Sequence, residues 1–92
     1  MAEARRLIVS GRVQGVGFRY FLRAEAARLG ASGWVRNRAD GTVEAVVAGT
    51  PEAIAGLLAA ARRGPPGARV DHLAVEFAEG DFTGFEARPT VA

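Results

Sequence analysis

Gly33-Trp34-Val35-Arg36-Asn37-Arg38 runs through Ala39-Asp40-Gly41-Thr42 into Val43-Glu44-Ala45-Val46-Val47-Ala48, and this stretch decides the fold. Asp-Gly between two extended runs marks a tight hairpin, because both residues tolerate the positive φ that such turns require. A helical pattern flanks the hairpin on each side. Upstream, Phe18, Leu22, Ala26 and Leu29 recur at helical spacing with Phe21 beside them, and Gly30 stands where a left-handed C-terminal residue is wanted. Downstream, Thr50-Pro51-Glu52 supplies a hydroxyl cap, a proline at the first position and an acid in the first turn. Ile54, Leu57, Leu58 and Ala61 then form an apolar stripe, Arg62 and Arg63 suit the C-terminal dipole, and Gly64-Pro65-Pro66-Gly67 stops the helix.

Two further strands lie outside the helices. From Arg6 to Val13, Leu7, Val9 and Val13 share one face; from Val70 to Phe77, Leu73, Val75 and Phe77 do the same. A short run, Gly84 to Arg88, is read as a fifth, edge strand. The order β-α-β-β-α-β requires two helices to cover one face of a largely antiparallel sheet. With right-handed crossovers the simplest solution is an α+β, ferredoxin-like split βαβ arrangement. Ninety-two residues suit a single domain, residues 1–92.

Composition narrows the function. Apolar residues make up 49% and charged residues 24%, the balance of a folded domain rather than a disordered chain. No apolar run approaches the ~18 residues that span a bilayer, and Met-Ala-Glu-Ala-Arg-Arg leads straight into a strand pattern, unlike a signal peptide. There is no cysteine, hence no disulfide framework and no thiolate site. A cytoplasmic protein is expected, monomeric and without a membrane partner. The pI of 10.4 does not mark a nucleic-acid binder. The net charge is only +2 and all 12 basic residues are arginine, so the pI records which basic residue is used rather than a large positive field.

The chemistry concentrates in Gly11-Arg12-Val13-Gln14-Gly15-Val16-Gly17-Phe18-Arg19. A glycine-spaced turn from strand to helix presents several backbone N–H groups in one direction, and the helix dipole adds partial positive charge there. Arg19 falls in the first helical turn, where that dipole disfavours a cation, and rule-breaking of this kind is expected where function is served. From Ser10 to Ala24 there is no Asp or Glu, while Arg12, Arg19 and Arg23 are present. The segment is built to receive an anion. In the expected sheet, the ends of the first and second strands approach each other, bringing Asn37 within reach of this cradle. A carboxamide both accepts from and donates to water, which is what orienting a nucleophilic water requires.

Val9 through Arg19 resembles the signature of the acylphosphatase family, and so does Gly33-Trp34-Val35-Arg36-Asn37 followed by Asp40-Gly41-Thr42-Val43-Glu44. The similarity continues through Pro51-Glu52-Ala53 and the Gly64–Gly67 stop to Phe85, covering essentially the whole chain. One departure is Ala87, where the family usually places a larger apolar residue. The resemblance implies hydrolysis of the carboxyl–phosphate bond of a small acyl phosphate, giving a carboxylate and inorganic phosphate. It further implies that backbone amides of Gly15, Val16, Gly17, Phe18 and Arg19, with the Arg19 guanidinium, hold the phosphate while Asn37 positions water. Neither a metal, a cofactor nor a covalent intermediate is implied, and the substrate itself assists proton removal.

Other polar and aromatic residues receive plainer readings. Arg36 and Arg38 alternate to the face opposite Asn37 and read as solvated; His72 points away from the core. Phe18, Phe21 and Trp34 read as core or hairpin packing. Glu76 and Glu79 have no obvious partner, which leaves paired-carboxylate catalysis without support. An RNA-recognition module shares the element order but needs aromatics on the third strand, and Val43 to Ala48 has none. A regulatory domain that binds an anion without turning it over uses the same cradle and is separated only by assay.

Overall fold

A computed structural model describes residues 2–91. The elements are β1 (Glu3–Arg12), α1 (Phe18–Leu29), β2 (Ser32–Arg38), β3 (Val43–Gly49), α2 (Pro51–Arg63), β4 (Arg69–Phe77) and β5 (Phe85–Val91). They form one five-stranded sheet in the order β4-β1-β3-β2-β5. The β1–β3, β1–β4 and β2–β3 pairs are antiparallel, while β5 runs parallel to β2 along the edge. This is the expected ferredoxin-like α+β arrangement. The first strand starts three residues earlier than its alternation suggests and ends at Arg12, leaving Val13 buried just beyond it.

Period two divides each strand between a covered and an open face. Leu7 and Val9 of β1, Val35 of β2, and Val43, Ala45 and Val47 of β3 point to the helices and are fully buried. Phe18, Leu22 and Ala26 of α1 and Ile54, Leu57 and Ala61 of α2 close over them. Each large apolar side chain so buried contributes about 1.5–3 kcal/mol. Ala87, despite its size, stands opposite Val35 and packs against this same core.

Both helix ends named from sequence are built as expected. Thr50 Oγ1 accepts from the Ala53 amide at 3.1 Å, with Pro51 and Glu52 following. At the end of α1, Gly30 is left-handed and Ala31 N–H donates to Ala26 at 2.9 Å. The fourth strand departs from expectation. Its apolar face is correctly phased, and Val70 and Leu73 pack on the core, but Val75 is exposed and Phe77 is 87% exposed, carrying the Arg5 guanidinium over its ring at 4.5 Å. β4 is an edge strand, so its far end outruns the helical layer.

The open face carries a chain of charges across all five strands. Arg6 of β1 pairs with Glu76 of β4 and, at 2.7 Å, with Glu44 of β3. Glu44 also accepts from Arg36 of β2 at 2.7 Å. The guanidiniums of Arg36 and Arg88 lie 4.9 and 4.7 Å from the Trp34 ring centre, and Arg88 pairs with Glu86 on β5 at 3.3 Å. Of the two places read for Trp34, core or hairpin, it takes the hairpin, on the face away from the helices. Two readings from sequence are corrected: Arg36 is engaged rather than solvated, and Glu76 has a partner.

Candidate active site

The turn between β1 and α1 is set by Gly15 and Gly17, whose φ values are +72° and +78°. A Cβ at either position would meet open space, so it is backbone conformation rather than room that calls for glycine. Gly17 is the N-cap of α1 and provides no side-chain cap; no acid stands in the first turn. Among the described residues, no amide from Gly15 to Tyr20 donates to a protein acceptor. The first amides of a helix have no intrahelical partner and carry the positive end of its dipole. The contrast with α2, capped by Thr50 and followed by Glu52, is complete. One helix start is neutralised by its own sequence; the other has no such partner among the described residues.

Arg19, in the first turn of α1, is half-buried, and its Nη1 donates to the backbone carbonyl of Arg88 at 2.8 Å. One of the five guanidinium N–H groups is thus tied to β5, and among the described residues the rest of the fork has no hydrogen-bond partner. Asn37 lies near the end of β2 on the helix-facing side, in phase with the buried Val35. Val13, Gly15, Gly17, Phe18, Arg19, Tyr20 and Asn37 together line one cavity of about 130 Å³. Arg19 and Asn37 therefore share a cavity, as do the two glycines and Phe18. Val16 does not line it; its side chain packs toward the core.

Gln14 was not singled out from sequence. Its Nε2 donates to the carbonyls of Arg38 and Thr42, at 2.8 and 2.9 Å, clasping the β2–β3 hairpin to the start of the turn. The hairpin is also braced from within: Thr42 N–H and Oγ1 both donate to Asp40, at 3.0 and 2.6 Å. Those two hydrogen bonds hold the Asp40 carboxyl below its ordinary range. A larger cavity, about 560 Å³, opens at the opposite end of the sheet beside Arg5, Phe77 and Phe82, and touches neither Arg19 nor Asn37.

Residues 5–87 match the acylphosphatase family model. The chain belongs to the acylphosphatase family. It is 57% identical over 82 residues to an acylphosphatase of Thiobacillus denitrificans, covering 89% of this chain and 92% of that one. Among solved structures, an acylphosphatase from Bacillus subtilis superimposes with a TM-score of 0.89 at 38% identity, covering 96% of this chain and 99% of that one. One from Coxiella burnetii gives a TM-score of 0.91 at 36% identity, covering 95% and 93%. This acylphosphatase-family chain is thus an enzyme of that family along nearly its whole length. Among the described residues, no helix is long and apolar enough to cross a membrane.

Proposed function

We propose that the chain hydrolyses acyl phosphates, with Arg19 and the amides of Gly15, Val16, Gly17, Phe18 and Arg19 holding the phosphoryl group and Asn37 orienting the attacking water. The carrying observation is the cavity that Arg19 and Asn37 both line, at the start of a helix left uncapped. Water oxygen bonds to phosphorus as the bond from phosphorus to the acyl oxygen breaks. The carboxylate departs and the water proton passes to a phosphoryl oxygen of the substrate. Charge accumulating on the equatorial oxygens meets the guanidinium and the amides; preorganised donors of this kind are worth about 10²–10³ in kcat each.

Asn37 contributes by aim, not by basicity: its carboxamide oxygen accepts from the water while the phosphate turn fixes phosphorus opposite. The side chains lining the cavity include no carboxylate and no imidazole. On this reading the reaction needs neither metal nor cofactor, since a mixed anhydride is reactive enough for positioning and charge neutralisation to suffice. The same reading takes residues 1–92 as one domain, acting as a cytoplasmic monomer on a small-molecule substrate.

The test is hydrolysis of benzoyl phosphate and acetyl phosphate by wild type, Arg19→Ala, Arg19→Lys and Asn37→Ala. Arg19→Ala should abolish activity. Arg19→Lys should lose most of it, because a point charge lacks the planar fork. Asn37→Ala should lower kcat far more than affinity for inorganic phosphate. Wild-type turnover by the lysine variant, or an unchanged kcat in Asn37→Ala, removes that residue from the mechanism. Phosphate binding without hydrolysis by wild type would leave an anion-binding domain.

A further inference from the structure

Arg88 connects the open face of the sheet to the cavity beneath the other. Its carbonyl accepts from Arg19 Nη1 at 2.8 Å. In the parallel ladder it stands opposite Arg36, the residue before Asn37. Its guanidinium lies on the open face, 4.7 Å from the Trp34 ring centre. One residue thus touches the support of both candidate catalytic groups and is seated by an aromatic ring that neither of them contacts.

Main-chain pairing alone holds this point loosely. β5 has only β2 as a neighbour in the sheet. Beyond Arg88 the register slips: Arg36 pairs with Arg88 but Arg38 pairs with Val91, so β5 carries one extra residue, and Pro89 within it has no N–H to give. The ladder is regular up to Arg88 and breaks after it. Beyond the core packing of Ala87 before it, what fixes the Arg88 carbonyl is its own side chain, lodged over Trp34 and paired with Glu86. Trp34 is in turn held between strands, with Arg36 over its ring and Glu44 behind Arg36.

Resting on the proposed phosphate-binding role of Arg19, we infer that Arg88 and Trp34 are positioning residues for phosphate binding. Trp34 seats the Arg88 side chain, that seat fixes the Arg88 carbonyl, and the carbonyl aims the Arg19 fork into the cavity. Without the seat, Arg19 retains its charge but samples more rotamers, so the cost falls on capture of phosphate more than on the chemical step.

The experiment measures the inhibition constant of inorganic phosphate and the KM and kcat for benzoyl phosphate in Trp34→Leu, Trp34→Phe and Arg88→Ala. Urea unfolding accompanies each variant. Trp34→Leu and Arg88→Ala should raise the phosphate constant and KM together by roughly two- to fivefold, the scale of one exposed guanidinium–ring contact, with a smaller change in kcat. Trp34→Phe should restore most of the loss. In an Arg19→Lys background, Trp34→Leu should add nothing further, because the guanidinium it acts through is gone. A phosphate constant unmoved by Trp34→Leu and by Arg88→Ala overturns the inference. So does an effect of Trp34→Leu undiminished in the Arg19→Lys background, which would make the ring merely structural. A wild type that neither binds phosphate nor turns over an acyl phosphate sinks the functional reading as well, and is told apart by that.

Discussion

Replacing Glu44 by Gln tests what holds the open face together. Glu44 sits on the central strand, only 4% exposed, and binds Arg6 and Arg36 at 2.7 Å each. Glutamine keeps the shape but loses the charge, and its NH₂ turns a donor toward one of two guanidiniums. Removing one partner of a wholly buried ion pair costs about 3–5 kcal/mol. Here both arginine side chains are about a third exposed, at 35% and 33%, and water relieves part of that. Arg6 also keeps Glu76 and Arg36 keeps Trp34, so a loss of about 1.5–3 kcal/mol is expected. At an m value of about 1–1.5 kcal/mol/M, the urea midpoint should fall by roughly 1–3 M. The pH dependence carries the same signature. Burial alone would push the Glu44 carboxyl up, but hydrogen bonds from Arg36 and Arg6 outweigh it and leave the group below its ordinary value of 4.5. A depressed carboxyl contributes stability above its unfolded value and loses it as pH falls through the folded one. Wild type should therefore weaken below about pH 4.5 with a component that Glu44→Gln lacks. A midpoint moved by less than about 0.3 M, or parallel acid profiles, would refute the reasoning.

Three further outcomes are expected. Gly17→Ala forces a side chain into the left-handed region at φ +78°, costing about 1–2 kcal/mol in thermal unfolding and raising KM through distortion of the turn. Gln14→Leu removes both hydrogen bonds to the hairpin; kcat should fall more than phosphate affinity, because Asn37 rides on that hairpin. Thr50→Ala should cost about 1 kcal/mol of stability with kcat/KM unchanged, since α2 lies outside the cavity.

The hairpin, both helices and their caps were legible because each is encoded locally: Asp40-Gly41 for the turn, Thr50-Pro51 for a start, Gly30 for a stop. That Arg19 and Asn37 come to one cavity was legible for a related reason, one standing against the helix dipole and the other at a strand end. The rest depends on long-range placement. Nothing in Phe77 or Trp34 says that the first outruns the helices and the second lies on the open face, because alternation gives phase but not which layer covers it. Gln14 left one signal, a lone carboxamide between Val13 and Gly15, but its acceptors lie 24 and 28 residues away. The Arg88 carbonyl left none. It is a main-chain group 69 residues from Arg19, and any residue type at that position supplies one.

That distance bears on when the enzyme becomes active during its own synthesis. A nascent chain that has cleared the ribosome only as far as Thr83 already holds the phosphate turn, Asn37 and the Gln14 clasp. It still lacks the strand that fastens Arg19. Hydrolytic competence on the proposed mechanism therefore waits until β5 has emerged and joined the sheet.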